Sequence, residues 1–345
     1  MTRRRLGFFT RLLDDVPAGE RYRLAAEQIR HAEDAGFDSA WVAQHHFDGE
    51  EGGLPAPLVF LAHVAARTSR IRLGTGIITL PLEHPVRVAE DTAVLDLLTG
   101  GRLEVGVGSG GTPSSFAAFG HDSARRSEIY AEHLATLLDA WSGRDLGGGN
   151  RLYPAAPRLL DAVWEATFSV SGGARAGRAG NGLMLSRTQP RPADDPQATL
   201  ADIQRPIVDA YYDNLPSGAT PRIMASRTAF VADSRADALR YAELGLGRGR
   251  LPFELPDSGL DQRITAFDVH LGTPQDVVES LLADPTLDRV TDLVFQVHSV
   301  DPPHPLILRS IELLATEVAP ALGWVPSTES STELSTELST ELRTT

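Results

Sequence analysis

The chain has 345 residues, 42% of them hydrophobic, which suits one (β/α)8 barrel of about 250 residues with insertions. It contains neither cysteine nor lysine, which excludes disulfides, thiolate nucleophiles, iron–sulfur clusters, cysteine-ligated zinc, a P-loop lysine and Schiff-base lysine chemistry. The net charge of −14 works against nucleic acid and anionic membranes as partners, and no apolar run approaches the roughly 18 residues of a membrane span, so a soluble cytoplasmic protein is expected.

Apolar runs alternate with amphipathic ones from the start. LGFF (6–9) reads as a strand, too short for a signal peptide behind the basic MTRRR, and 20–36 as a helix closed by Gly36. SAWVA (39–43) is the second strand and 55–68 a helix. IRLGTGII (71–78) is the third strand, followed by a helix over 84–101 that opens on Pro85. RLEVGVG (102–108) is the fourth strand, with a helix through 123–141. VWEATFSV (163–170), GLMLS (182–186), IMASRTAFVA (223–232) and DLVFQV (292–297) are strands five to eight. Helices are expected near 173–180, 198–214, 234–244, 274–283 and 305–319. Strands apolar on both faces and separated by helices imply a parallel sheet, and eight such units imply a closed α/β TIM-type barrel spanning 1–326.

Two stretches break the rhythm. Residues 245–272 show no clean period, and a loop that long is expected to be a lid before the last strand. Arg248, Arg250 and Arg263 could reach an anion there, Phe253, Leu255 and Phe267 could cap a pocket, and Gly245, Gly247 and Gly249 could hinge. The tail 327–345 repeats Ser-Thr-Glu-Leu and is expected to be disordered.

Four short stretches could carry chemistry. His45 and His46 follow the second strand, at the barrel face where active sites form. Neighbouring side chains on a strand point to opposite faces, and no HxH or HExxH spacing accompanies them, so a metal site is not expected. One histidine can face the mouth while the other is structural. Gly74, Thr75, Gly76 and Ile77 end the third strand, where a planar ring could rest or the strand could simply bulge. EVGVGSGG, with Gly108 and Ser109, is a poor match to a dinucleotide motif; it is either a tight turn or a backbone open to a flat ligand. Ser169, Ser171, Gly172 and Gly173 open a helix after the fifth strand, which offers an anion site or ordinary capping.

AEDAGFDSAWVAQHHF (32–47) and RIRLGTGIITLPLEHPVRVAEDTAVLDLLTGGRLEVGVGSGG (70–111) resemble the bacterial luciferase-like flavin monooxygenases, and SVSGGARAGRAG and GTPQDVVESL (272–281) do so more weakly. The resemblance implies a (β/α)8 barrel and a flavin-dependent monooxygenase. Reduced FMN would come from a separate NAD(P)H:flavin reductase and react with O2 to a C4a-(hydro)peroxide that oxidises a small organic substrate. It implies that His45 is catalytic, with His46 beside the flavin, and that a non-proline cis peptide at Gly76–Ile77 supports the ring. The phosphate would fall to Ser169, Ser171, Gly172 and Gly173. A homodimer through 55–68 and 84–98 is implied as well. Three positions depart from the pattern. Gln44 replaces a glutamate, with consequences expected for His45. Ser109 stands where luciferase has a phosphate-binding arginine, and Gly108 where it has a reactive cysteine. These departures keep two other readings open: an F420-dependent hydride-transfer enzyme on the same barrel, or a non-catalytic flavin-binding accessory protein.

Overall fold

The computed structural model describes residues 4–248, 259–297 and 300–324. In chain order the elements are β1 (Arg5–Thr10), α1 (Ala18–Asp34), β2 (Ser39–Val42), α2 (Pro57–Ala65), β3 (Arg72–Thr75), β4 (Ile78–Thr79), α3 (Pro85–Thr99), β5 (Leu103–Gly108), α4 (Pro113–Ala118), α5 (Arg126–Trp141), β6 (Val163–Ala166), α6 (Val170–Ala179), β7 (Gly182–Leu185), α7 (Leu200–Asn214), β8 (Ile223–Val231), α8 (Arg235–Arg248), α9 (Leu260–Ala266), β9 (Val269–Gly272), α10 (Pro274–Leu282), β10 (Asp292–Gln296) and α11 (His304–Leu313). Every strand pairing is parallel. β1, β2, β3, β5, β6, β7, β8 and β10 form a ring closed by β10 against both β1 and β8, as the eight sequence runs imply.

The third run is interrupted. A cis Gly76–Ile77 bond separates β3 from β4, which pairs with β5. The fifth run ends at Ala166, because Ser169 caps α6 and turns residues 167–170 into its entry. The stretch 245–272 is also more regular than its sequence suggests. Gly245 and Gly247 lie inside α8, and a Cβ at Gly245 would stand 2.0 Å from the Val300 carbonyl oxygen, so this glycine serves packing. Arg263 lies in the short α9, and β9 continues the sheet beyond the ring on the far half of β8. A seven-residue helix and a four-residue strand are too brief to show a period. Gly249, Arg250, Phe253, Leu255 and the tail 327–345 lie outside the described residues.

The barrel interior is filled by Trp41, Trp164, Met184, Met224 and Val294, with Phe9, Ile77 and Ala166 above them. The indoles of Trp41 and Trp164 meet edge to face with centroids 5.6 Å apart. Each needs a missing side chain on the next strand. A Cβ at Gly74 would lie 2.2 Å from Trp41, and one at Gly182 2.3 Å from Trp164. The larger core lies between the strands and the helix ring. On that side α6 sits close to α7 because Gly173 and Gly177 face it. Their Cβ atoms would stand 2.4 Å from the Ile207 carbonyl oxygen and 2.3 Å from that of Tyr211.

Gly177→Ala is therefore expected to force the two helices apart. Overpacking of this kind costs about 1–3 kcal/mol, which corresponds to a fall in Tm of roughly 1–4 °C for a chain of this size. Calorimetry that found an unchanged Tm would contradict close packing as the reason for this glycine.

Candidate active site

A cavity of about 870 Å³ opens at the C-terminal ends of the strands. That is the upper part of the range for small-molecule and cofactor sites, about 300–1,000 Å³. Phe9, Gly76, Ile77, Gly108, Ala166 and Met184 form part of its floor. Two of these places leave no room for a side chain: a Cβ at Gly76 would lie 2.7 Å from Phe9, and one at Gly108 2.9 Å from Ile77. Gly74 and Thr75 lie beneath the floor and do not border the cavity. Gly74 makes room for Trp41, while the Thr75 hydroxyl donates to the Gly106 carbonyl at 2.8 Å and accepts from its N–H at 2.9 Å.

His45 and His46 both border the cavity, contrary to the alternation expected of a strand. The reason is local: β2 ends at Val42, so both lie in the following loop. The His45 N–H donates to the Leu54 carbonyl at 3.0 Å, and its ring is covered by Gly52, where a Cβ would stand 2.4 Å from the imidazole. Its Nδ1 lies 3.9 Å from the Glu51 carboxylate. Burial, and then the guanidiniums of Arg11 and Arg187, push the His45 pKa down to about 4, so the ring is neutral at pH 7. Gln44 is engaged elsewhere. Its amide oxygen accepts from the Thr79 N–H at 2.7 Å and its NH2 donates to Glu83 at 2.7 Å, tying β2 to β4. The His46 ring meets Phe119 edge-on at 4.9 Å. Its Nε2 is buried without a hydrogen-bond partner among the described residues, and burial lowers its pKa against the pull of Glu83.

Ser109 and Ser169 border one end of the cavity. The Ser169 side chain caps α6 by accepting from the Gly172 N–H at 3.1 Å, and its hydroxyl lies 3.2 Å from those of Thr167 and Ser171. Ser171, Gly172 and Gly173 stand behind this rim, with Gly172 pressed against Thr167 and Gly173 against α7. The cations at this end are ones the sequence reading missed. Arg126 and Tyr130 come from one face of α5, and Arg175 from α6. The fully buried Glu165 fixes them, accepting from Arg175 Nε at 2.7 Å, from the Tyr130 hydroxyl at 3.1 Å and from Asn181 at 3.0 Å. Burial opposes the Arg175 charge, but the Glu165 carboxylate outweighs it and the pKa rises.

Arg11, after β1, and Arg187, after β7, border the same cavity. The side chain of Arg187 is buried, donating from Nε to Gln296 Oε1 at 2.9 Å and from Nη1 to Thr228 Oγ1 at 3.3 Å. Burial first, and then Arg11, bring its pKa down to about 9. Among the described residues no aspartate or glutamate lines the cavity, and no cluster of three or more His, Asp or Glu could hold a metal. The described parts of 245–272 do not border it either.

The sequence matches the luciferase-like monooxygenase family over residues 6–253. An uncharacterized protein of Sinorhizobium fredii is 27% identical over 326 residues, covering 87% of this chain and 91% of its own. Limonene 1,2-monooxygenase of Rhodococcus erythropolis is 31% identical over 177 residues, so the match spans 48% of this chain and less than half, 44%, of that relative. The oxygenating constituent of 3,6-diketocamphane monooxygenase from Pseudomonas putida, solved with FMN, has a TM-score of 0.76 at 18% identity, covering 92% of this chain and 98% of its own; that likeness shows the fold. No helix among the described residues is long and apolar enough to cross a membrane.

Burial of His45 has a pH signature. Between its ordinary value of 6.5 and about 4, the unfolded chain binds a proton that the folded one refuses, so stability falls as pH drops through that window. His270, held near 4 by burial, contributes to the same slope. Urea unfolding at pH 7 and pH 5 is expected to show a smaller loss for His45→Gln than for the parent, with the share of His270 left. Equal losses would remove His45 as a source.

Proposed function

We propose that this chain, which belongs to the luciferase-like monooxygenase family, binds reduced FMN delivered by a separate NAD(P)H:flavin reductase and uses O2 to oxidise a small organic substrate. The observation that carries the reading is one cavity with an apolar floor, in which Gly76 and Gly108 carry no side chain, and a rim of hydroxyls and guanidiniums. A flat ring fits the first and a phosphate the second. Gly76, Ile77 and Gly108 would support the ring. Ser109, Ser169, Arg126 and Arg175 would hold the phosphate, so the cation missing at position 109 is supplied from α5 and α6. The unpartnered Nε2 of His46 offers a polar contact to the group above the floor.

Bound FMN supplies the activation of O2. The chain's part is to orient and to move a proton. His45, neutral at pH 7, can accept or relay one at Nε2, the nitrogen turned from Glu51. The apolar floor keeps bulk water from the reacting face.

The reading includes a homodimer, which the helix ring supports. Val59 on α2 and Val94, Leu97 and Leu98 on the adjacent α3 are exposed apolar side chains on neighbouring helices.

Fluorescence titration tests the cofactor. The protein is expected to bind FMN more tightly than riboflavin, and Ser169→Asp to weaken FMN at least tenfold while leaving riboflavin within a few-fold, since a carboxylate beside a phosphate repels it. Equal losses would move the phosphate elsewhere, and binding of F420 in place of FMN would favour the hydride-transfer reading. For assembly, light scattering at micromolar concentration should report a dimer that Leu97→Glu with Leu98→Glu converts to monomer. A monomeric parent would refute the interface.

A further inference from the structure

We propose that the part of the cavity beside the histidine pair is a carboxylate site, where Arg11 and Arg187 hold the anionic group of an acidic organic substrate. The proposal rests on the flavin reading above and adds to it the charge of the substrate.

The argument starts from a mismatch of charge. The chain carries 46 acidic and 32 basic side chains, yet among the described residues four arginines and no carboxylate line this cavity. Two of those arginines, Arg126 and Arg175, serve the phosphate end. The other two stand on different strands, beside the histidine pair. Arg187 is nine-tenths buried, and two neutral oxygens fix its guanidinium plane across the barrel mouth. Arg11 donates to the Glu51 carbonyl, which places its charge beside the loop that covers His45. The carboxylates of Glu51 and Asp301 act on Arg11, and those of Asp301 and Asp268 on Arg187, all from outside the cavity lining, yet burial prevails and both pKa values are lowered. An anionic ligand in the cavity would add to the charge that offsets this burial.

Two further observations point to a ligand. The Ser226 hydroxyl, also nine-tenths buried, lies in the cavity wall with no hydrogen-bond partner among the described residues, and the buried His46 Nε2 likewise has none among them. A planar carboxylate matches the fork of a guanidinium, and the serine hydroxyl can donate to the same oxygens. Burial and mutual repulsion already lower the proton affinity of Arg187 and His45, the response expected of a positive pocket waiting for negative charge. The negative edge of a reduced flavin ring is a second source of the same chemistry, and the experiment separates the two.

FMN-loaded protein is titrated with benzoate and with benzamide, its neutral counterpart of the same size, and binding is read by calorimetry. Benzoate is expected to bind at least about tenfold more tightly, the scale of one charge-assisted hydrogen bond. Arg187→Gln, and independently Arg11→Gln, should abolish that preference while leaving the Kd for oxidised and reduced FMN within threefold. Arg11→Gln serves as the second variant should the buried Arg187 be needed for folding. Equal affinity for the two probes, or no binding of either at 20 mM (roughly the weak limit of a single ion contact), overturns the proposal. So does an arginine variant that weakens reduced FMN but keeps the preference for benzoate, because the guanidinium would then belong to the flavin. Failure of the parent to bind FMN at all would sink the flavin reading; the same two titrations on the flavin-free protein would then still decide the carboxylate site.

Discussion

Two indoles stacked inside a ring of eight strands decide what the top of this barrel can be. Trp41 and Trp164 occupy the interior only because Gly74 and Gly182 present no side chain to them. With the lower barrel closed in this way, Phe9, Ile77 and Ala166 form the next layer, and the open volume is displaced to the C-terminal face. The loops that follow β1, β2, β4, β5, β6 and β7 all reach that volume. A site assembled from so many separate strand ends is held by the ring as a whole. Small movements of one loop leave the floor unchanged, because the floor belongs to the strands.

Electrostatics then sorts the cavity into ends. A surface dominated by carboxylates surrounds a concave region where guanidiniums prevail. Glu165 shows how the chain stabilises such a region without filling it with negative charge. It is fully buried below the rim, binds Arg175, Tyr130 and Asn181 together, and leaves the outer face of the arginine toward the cavity. Beside the histidine pair, Arg187 donates to the neutral oxygens of Gln296 and Thr228 among its partners. The difference is physical. The Glu165 carboxylate raises the pKa of Arg175 against burial, whereas burial and then Arg11 lower that of Arg187 against Asp301 and Asp268.

Much of the fold could be read from the sequence, since apolar runs separated by amphipathic segments report strands buried on both faces. The eight runs correspond to the eight strands of the ring. The misreadings share one cause: patterns of period and alternation assume an element long enough to express them. The stretch 245–272 hid α9 and β9 because each is brief. Strand alternation does not apply to His45 and His46, which lie beyond both the expected strand 39–43 and the observed end of β2 at Val42. The glycines after Ser169 illustrate a different ambiguity. Gly172 and Gly173 fit an anion site by composition, but their missing side chains make room for Thr167 and for α7. Arg11 and Arg187 left a faint signal, a lone cation directly after the apolar runs GFFT and LMLS. Nothing in a one-dimensional pattern says that strands one and six share a cavity; that follows only from closure of the ring.

The neutral His45 connects the two ends of the site. Its proton affinity is held down by burial and by two nearby guanidiniums, so whatever neutralises those cations raises it again. An anion seated between Arg11 and Arg187 would make His45 a stronger base while the substrate is present. By linkage, a proton on His45 would favour the anion equally. A base that gains strength only when its substrate arrives is kept neutral in the resting protein, where a charged imidazole beside two arginines would be the most costly arrangement. The same positive environment that argues for an acidic substrate therefore gives that substrate a means of setting the protonation state of the residue that would act on it.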